Sequence, residues 1–396
     1  MAGGSRTTIE PSLLKHLARA KSVIDNKVPL FGVFNSNEME AAAISVLRSG
    51  QLASGHHVAA FEQGFGDLIR QDNVVSMSDF TSAISMALYL SGVECDDEVI
   101  TSAYACMATN AAIALTGAVP IWCDLKKSSV DVDMTDLVSK ITPKTKAIIL
   151  YHVAGYPGPA DAVAEICRQY GVPLIEDCNN ALLATRNGKM VGSHGDFAVY
   201  SFYPNRQLNT VEAGALVVKE ATLADRAKRL RRFGIDPQTF RRKDGEINRL
   251  SDIPEIGGAL TMSNFSAALG CVQLSSVASR IEQTRSNVQK LLESMQGLSN
   301  IQPVKVLSGS NPAYWVFLTT VANRDRALGV VNGLGINASV LHQNNNVYSG
   351  FKTTENQSIK NTEKFQKNVL AFPCGWWLSD NDIDRISNSM RKIEMI

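Results

Sequence analysis

A disulfide framework and a structural zinc site are the first things this sequence excludes. Its seven cysteines (95, 106, 123, 167, 178, 271 and 374) are odd in number and scattered, and no two form a C-x-x-C pair. That usage fits free thiols in a reducing compartment, so a cytoplasmic location without a bound metal is expected. No apolar run reaches the ~18 residues that span a bilayer. The opening MAGGSRTTIEPS has no charged segment followed by an apolar one, so no secretory signal is expected. An excess of one charge sign is missing as well. Lys+Arg number 39 and Asp+Glu 38 in 396 residues, a formal net charge of +1. No long-range field therefore draws nucleic acid or an acidic membrane. The local basic stretches at 226–232 (RAKRLRR) and 241–243 read as a solvated helix face and a loop. Internal repeats and low-complexity segments are absent too.

What is present is alternation. Residues 1–40 form an arm that leads into a first helical segment at 38–49, stopped by Gly50, and a second follows at 57–70. Short apolar runs then recur at 74–77, 98–101, 119–123, 146–152, 173–177, 197–202 and 215–219. Helical patterns separate the earlier ones, at 81–90, 108–115 and 159–170. Strands of four to seven residues spaced by helices indicate an α/β fold, a mostly parallel sheet with helices on both faces. The texture changes after about residue 220. A charged helix at 223–233 and a polar loop at 234–258 precede helices at 263–275 and 279–295. Strands at 315–321 and 338–341, with helices at 324–334 and 380–392, complete a smaller α+β part. The expected division is an arm (1–40), a large domain (41–258) and a small C-terminal domain (259–396).

In a parallel α/β sheet, ligands bind beyond the carboxyl ends of the strands. The polar residues that follow strands here are Asp79–Ser82, His152, Asp177, and the group Ser201, Asn205 and Arg206. Taken singly, an Asp or Ser at such a place is ordinarily a helix cap or turn residue. Four strand ends converging on one region make a site.

The order of several segments resembles the DegT/DnrJ-type nucleotide-sugar aminotransferases, a fold-type-I family that uses pyridoxal phosphate (PLP). The resemblance spans roughly residues 30–390. It is carried by GQLASG (50–55) before Phe61 and Glu62, by CMATNAAIALTGAVPIWCDL (106–125) and by ITPKTKAIILYHVAGYP (141–157). It continues through IEDCNNA (175–181), VGSHGDFAVYSFYP (191–204), AKRLRRFGID (227–236) and SVLHQNNNVYSGF (339–351). The resemblance implies that Asp177 pairs with the pyridine nitrogen and keeps it protonated, so the ring can act as an electron sink. It implies that Asn180 stands beside the ring's 3-oxygen. Ser201 would bind the phosphate together with the turn at Phe80 and Thr81, leading into a helix N-terminus. His342, Asn344, Asn346 and Tyr348 would lie on a substrate loop. The family forms homodimers with shared sites, and residues 56–61 and the loop at Ala259 would lie near that interface.

The decisive departure is Arg206. In SFYPNRQL it occupies the place where the resemblance puts the lysine that forms the Schiff base and later moves a proton. Both tasks need a side chain that can lose its proton, and a guanidinium effectively never does. Lys189, which precedes the VGSHGD turn, would face solvent. Phe80 stands where the family's phosphate turn ordinarily has glycine, Ala259 where a later loop has the Asn or Lys that reaches a neighbouring subunit's phosphate, and Asn344–Asn346 where the late loop after its His has an Arg-Asn-Asp run. Three readings follow. The chain binds PLP or PMP noncovalently and acts on an amino- or keto-sugar, as the family's PMP-dependent dehydratases do with His for Lys; His152 or His194 would then shuttle protons. Alternatively it is repurposed without PLP, with Arg206 binding an anion or stabilising charge. Or it is a non-catalytic partner subunit.

Overall fold

The computed structural model describes residues 27–352 and 357–395. Thirteen strands follow in chain order: β1 (Val74–Met77), β2 (Glu98–Ser102), β3 (Val119–Cys123), β4 (Thr145–Tyr151), β5 (Leu174–Asp177), β6 (Thr185–Arg186), β7 (Lys189–Met190), β8 (Phe197–Ser201), β9 (Gly214–Val218), β10 (Ile301–Pro303), β11 (Ser310–Asn311), β12 (Phe317–Val321) and β13 (Val369–Phe372). Seven of them form the central sheet, in the order β1-β9-β8-β5-β4-β2-β3. The pairs β3/β2, β2/β4, β4/β5 and β5/β8 are parallel. Only β9 runs against the rest, antiparallel to both β8 and β1. Every residue of β1, β5, β8 and β9 is buried, as expected of strands covered by helices on both faces.

One face packs Ile84, Leu88, Val99, Ile149, Ile175, Val199 and Leu216 into a continuous core. The other is built on aromatic edges: Phe65 meets Tyr200 at 5.2 Å and Phe202 at 5.1 Å, both T-shaped. Rings in that geometry add stabilisation beyond the area they bury. A second sheet, β10-β12-β13, is antiparallel and shares a core with the helices Val277–Ser294, Arg324–Gly333 and Asp380–Ile393. The third, β11-β6-β7, ties the hairpin after β5 to the C-terminal half.

The strand expected at 338–341 does not form. Ser339 makes a single antiparallel bridge to Ala371. The chain leaves the open edge of β13 after that one pair: Leu341 takes a left-handed φ of 64°, and its amide donates to the Ser339 hydroxyl oxygen at 3.0 Å. Of the N-terminal arm, residues 1–26 lie outside the described residues. Among the described residues, no helix is long and apolar enough to cross a membrane.

Strand direction decides where a site can be. Met77 of β1 and Ser201 of β8 both pair with Gly214, and Tyr151 of β4 pairs with Asp177 of β5. The carboxyl ends of β1, β4, β5 and β8 therefore share one edge of the sheet.

Candidate active site

Asp177 sits at the centre of that edge, fully buried. Thr109 Oγ1 donates to its Oδ2 at 2.6 Å, and the Asn179 amide donates to its Oδ1 at 3.0 Å. Burial raises the Asp177 pKa to about 6, although these two hydrogen bonds pull the other way. A carboxylate held so unwillingly in charged form is primed to accept a proton or a protonated ring nitrogen.

Beside it, the Tyr151 hydroxyl is the hub of a small network. Asn180 Nδ2 donates to it at 2.8 Å and the Ala154 amide at 3.3 Å, and His342 Nε2 lies 3.2 Å away. Asn180 Oδ1 is buried with no partner. His342 is driven down to about 3 by burial and by the Arg206 guanidinium, so its ring is neutral.

Ser201, at the end of β8, is buried and pairs with Gly214 of β9. Asp79 caps the helix Phe80–Leu90, accepting from the Ser82 amide at 2.8 Å. The loop–helix junction sits tightly on Gly214: a Cβ there would lie 2.6 Å from the Asp79 carbonyl oxygen and 2.9 Å from Phe80 Cα. The objection that Phe80 raises against a phosphate turn does not hold structurally. Phe80 is the first helical residue, with no positive φ, and its ring is buried in the core with Ile84 and Leu88. Its bulk points away from the turn, so the first turn of the helix keeps its amides where an anion can meet them.

Arg206 enters the same edge. Its Nη1 donates to Asn205 Oδ1 at 2.5 Å, and its Cζ lies 4.6 Å from the centre of the Trp315 ring. The Trp315 indole N–H in turn donates to the Asn205 carbonyl at 2.8 Å, and Phe31 stacks on Trp315 at 4.4 Å. Burial lowers the Arg206 pKa, and the negative ends of Cys106, Tyr151 and Asp177 counter that effect. Its Nε is buried without a partner. A guanidinium with one face on an aromatic ring and unspent donors is a fixed cation that calls for an acceptor.

The two histidines expected to shuttle protons are not placed to do so. The Gly158 amide donates to His152 Nδ1 at 3.0 Å, and His152 Nε2 lies 3.1 Å from Glu176 Oε2, so both ring nitrogens are spent. Glu176 also accepts from the amides of Gly192, His194 and Gly195 at 2.7–2.8 Å. Burial alone would raise the Glu176 pKa, but His152 and these amides hold it below the usual range. With Cys178, these two residues form a buried group of metal-ligand types, yet their polar atoms are committed to pinning the 191–196 turn. His194 precedes β8 and lines a groove with Pro173, Leu174 and Lys219 at the amino edge of the sheet, opposite Asp177 and Ser201.

In the loop after His342, Asn344 is buried and its Oδ1, like that of Asn346, has no partner; Tyr348 is exposed. Asn345 is bound to Asn110 Nδ2 at 2.8 Å, which ties the loop to the helix Met107–Leu115. Sequence reasoning passed over Thr109 and Tyr151. Thr109 had only its place, early in a helix after a strand, to mark it. Tyr151 was masked by its neighbour His152. Trp315 reads as core packing until Arg206 is seen on its face.

The pattern of the DegT/DnrJ/EryC1/StrS aminotransferase family matches residues 34–391, nearly the whole described chain. The chain belongs to this family. Among family relatives, the spore coat polysaccharide biosynthesis protein SpsC of Bacillus subtilis is 26% identical over 92% of this chain and 96% of its own length. GDP-perosamine synthase of Caulobacter vibrioides is 27% identical over 86% of this chain and 90% of its own. The crystal structure of the sugar aminotransferase CalS13 from Micromonospora echinospora superposes with a TM-score of 0.85, at 27% identity, covering 92% of this chain and 99% of that one. The same aminotransferase fold has been solved in PLP and PMP forms, in chains 21% identical to this one.

Proposed function

We propose that this family member binds PLP or PMP without a covalent bond and acts on an amino- or keto-sugar substrate in a biosynthetic pathway. The observation that carries the reading is the guanidinium of Arg206, seated on Trp315 at the carboxyl edge beside Asp177. The family resemblance puts the Schiff-base lysine there, and a group that holds its proton cannot form a useful imine.

The residues present fit the cofactor as a noncovalent ligand. Asp177 would hold the ring nitrogen, and the unpartnered Asn180 Oδ1 marks a polar atom awaiting a ligand donor. Ser201 and the first turn of the helix Phe80–Leu90 would hold the phosphate, on a turn whose close approach needs the missing Cβ of Gly214. When bound, the cofactor supplies an electron sink for bonds at the substrate's amino-bearing carbon. The chain's own residues do the rest. Asp177 keeps a proton on the ring nitrogen, Arg206 offsets negative charge as a fixed cation, and Phe31 and Trp315 close the Arg206 side to water. Neither His152 nor His194 moves a proton in this scheme. The names of the relatives, a polysaccharide biosynthesis protein and a perosamine synthase, support a sugar substrate. We further infer a homodimer with shared sites. Exposed Ile44, Leu47 and Leu52, along the first helix and the turn after it, offer apolar surface for it.

The test is a titration of the purified protein with PLP, followed by calorimetry and visible absorption. Saturable binding is expected, competed by inorganic phosphate and without the visible band of a lysine-bound cofactor. Arg206→Lys is expected to gain that band. A wild-type protein that shows the band overturns the reading. Absence of all binding favours the second reading, a cofactor-free site in which the unspent Arg206 Nε binds a substrate anion.

A further inference from the structure

We propose that Phe31 is a positioning residue for Arg206: stacked on Trp315, it holds the indole as the platform on which the guanidinium lies. This rests on the reading of Arg206 as the cleft's fixed cation given above. Trp315 is joined to Arg206 in two ways. Its ring carries the guanidinium, with Cζ 4.6 Å from the ring centre. Its indole N–H donates to the Asn205 carbonyl at 2.8 Å, and Asn205 Oδ1 in turn accepts from Arg206 Nη1. A rotation of the indole therefore moves both the face under the guanidinium and the residue that orients it.

Backbone strain fixes where Trp315 starts. The Ala313 amide donates to the Gly155 carbonyl and the Trp315 amide to the Ala154 carbonyl, both at 2.9 Å. Ala154 and Tyr314 take left-handed backbone, at φ 52° and 48°, which a residue with a Cβ adopts at a cost. Gly155 has no room for a Cβ, which would lie 2.7 Å from the Asn180 carbonyl oxygen and 2.9 Å from the Tyr314 nitrogen. Strained residues of this kind persist where the surrounding structure over-determines them, and they gather at functional positions. This clasp sets the Trp315 backbone and leaves the direction of its ring to what touches it. Phe31 supplies that contact, with ring centres 4.4 Å apart and planes within 16°.

Phe31 is anchored from outside the cleft. Val28 pairs with Ile336, and the Trp377 indole N–H donates to the Pro29 carbonyl at 3.2 Å. The Asn209 side-chain amide donates to the Phe34 carbonyl at 3.1 Å. Phe34 faces a second guanidinium, with Arg280 Cζ 3.7 Å from its ring centre. Arg280 is buried and donates to the Gln207 carbonyl at 2.9 Å. Two rings of one short segment thus serve two buried cations, Phe31 through Trp315 and Phe34 directly, and each ring is a control for the other.

The probe is phenylglyoxal, which adds to guanidinium groups, with the modified peptides of the unliganded protein followed by mass spectrometry. Both arginines are buried, so both are expected to react slowly in the wild type. Phe31→Ala is expected to speed modification of Arg206 roughly fivefold, in line with the loss of one aromatic pair, while Arg280 keeps its rate. Phe34→Ala is expected to do the reverse. Phe31→Tyr, which can still stack, is expected to keep Arg206 slow, and Phe31→Leu, apolar but unable to stack, to speed it. An unchanged Arg206 rate in Phe31→Ala overturns the proposal. So does a rise at both arginines together, which means that the segment only seals the fold. Where Phe31→Ala does not fold, equal Arg206 rates in Phe31→Tyr and Phe31→Leu overturn it. Calorimetric titration with PLP separates the proposal from the reading beneath it: Phe31→Ala is expected to bind PLP several-fold more weakly. Unchanged PLP affinity beside faster Arg206 modification overturns the role given to the Arg206 cation and upholds its positioning by Phe31.

Discussion

Replacing Asp177 by asparagine should make the ligand-free protein more stable at neutral pH, and the amount follows from burial. Burial pushes Asp177 up to about 6 in the folded chain, against an ordinary value of 3.8. A difference of about two units at 1.36 kcal/mol each means that ionised Asp177 costs about 3 kcal/mol. The sign follows from proton counting. Between the two pKa values the folded state binds more protons than the unfolded one, so this group's contribution falls as pH rises. Most of the fall is read between pH 4.5 and 7.5, where the linkage relation gives about 2 kcal/mol. Asparagine keeps the shape and does not ionise. The assay is urea unfolding of wild type and Asp177→Asn across that range. Subtracting the two curves removes every other titrating group. The variant's advantage should grow with pH by about 2 kcal/mol, while PLP binding weakens through loss of the ring-nitrogen partner. A constant difference across the range would refute the claim that burial strains this carboxylate.

Two further substitutions probe the supporting structure. Gly214→Ala puts a methyl group against the Asp79 carbonyl and Phe80 Cα, both backbone atoms that cannot swing aside. A loss of about 1–3 kcal/mol in chemical denaturation is expected, with weaker phosphate competition against PLP, because the helix start must shift. Glu176→Ala removes the acceptor shared by His152 and three backbone amides, and should cost about 3–5 kcal/mol without altering the absorption spectrum of PLP-loaded protein that still folds.

Most of the central sheet is legible in the sequence because its strands are short, apolar on both faces and separated by helices. β3 at Val119–Cys123 and β1 at Val74–Met77 have the bounds that the apolar runs predict, and β4 and β9 shift by one residue. The C-terminal half is less readable. Residues 338–341 have the composition of a strand, yet after one bridge to β13 the chain turns away at Leu341, whose positive φ nothing in the sequence announces. The site divides in the same way. Strand-end logic finds Asp177, Ser201 and Arg206, because topology alone brings them to one edge. It fails for His152: a histidine after a strand looks the same whether its nitrogens are free or bound to a buried carboxylate. His194, which entered only as a possible proton shuttle, precedes a strand and so falls at the opposite edge. Phe80 misleads for a related reason: sequence shows its bulk and not its direction. The Tyr151–Asn180–His342 network joins residues 29 and 191 positions apart, a coincidence that only folding creates.

The most direct measurement is intact mass after borohydride reduction of the protein equilibrated with one equivalent of PLP. Wild type should show only its unmodified mass, with all cofactor removable by dialysis, whereas Arg206→Lys should retain one cofactor per chain after reduction. A reduced adduct on the wild-type chain, mapped to any lysine, would contradict noncovalent binding.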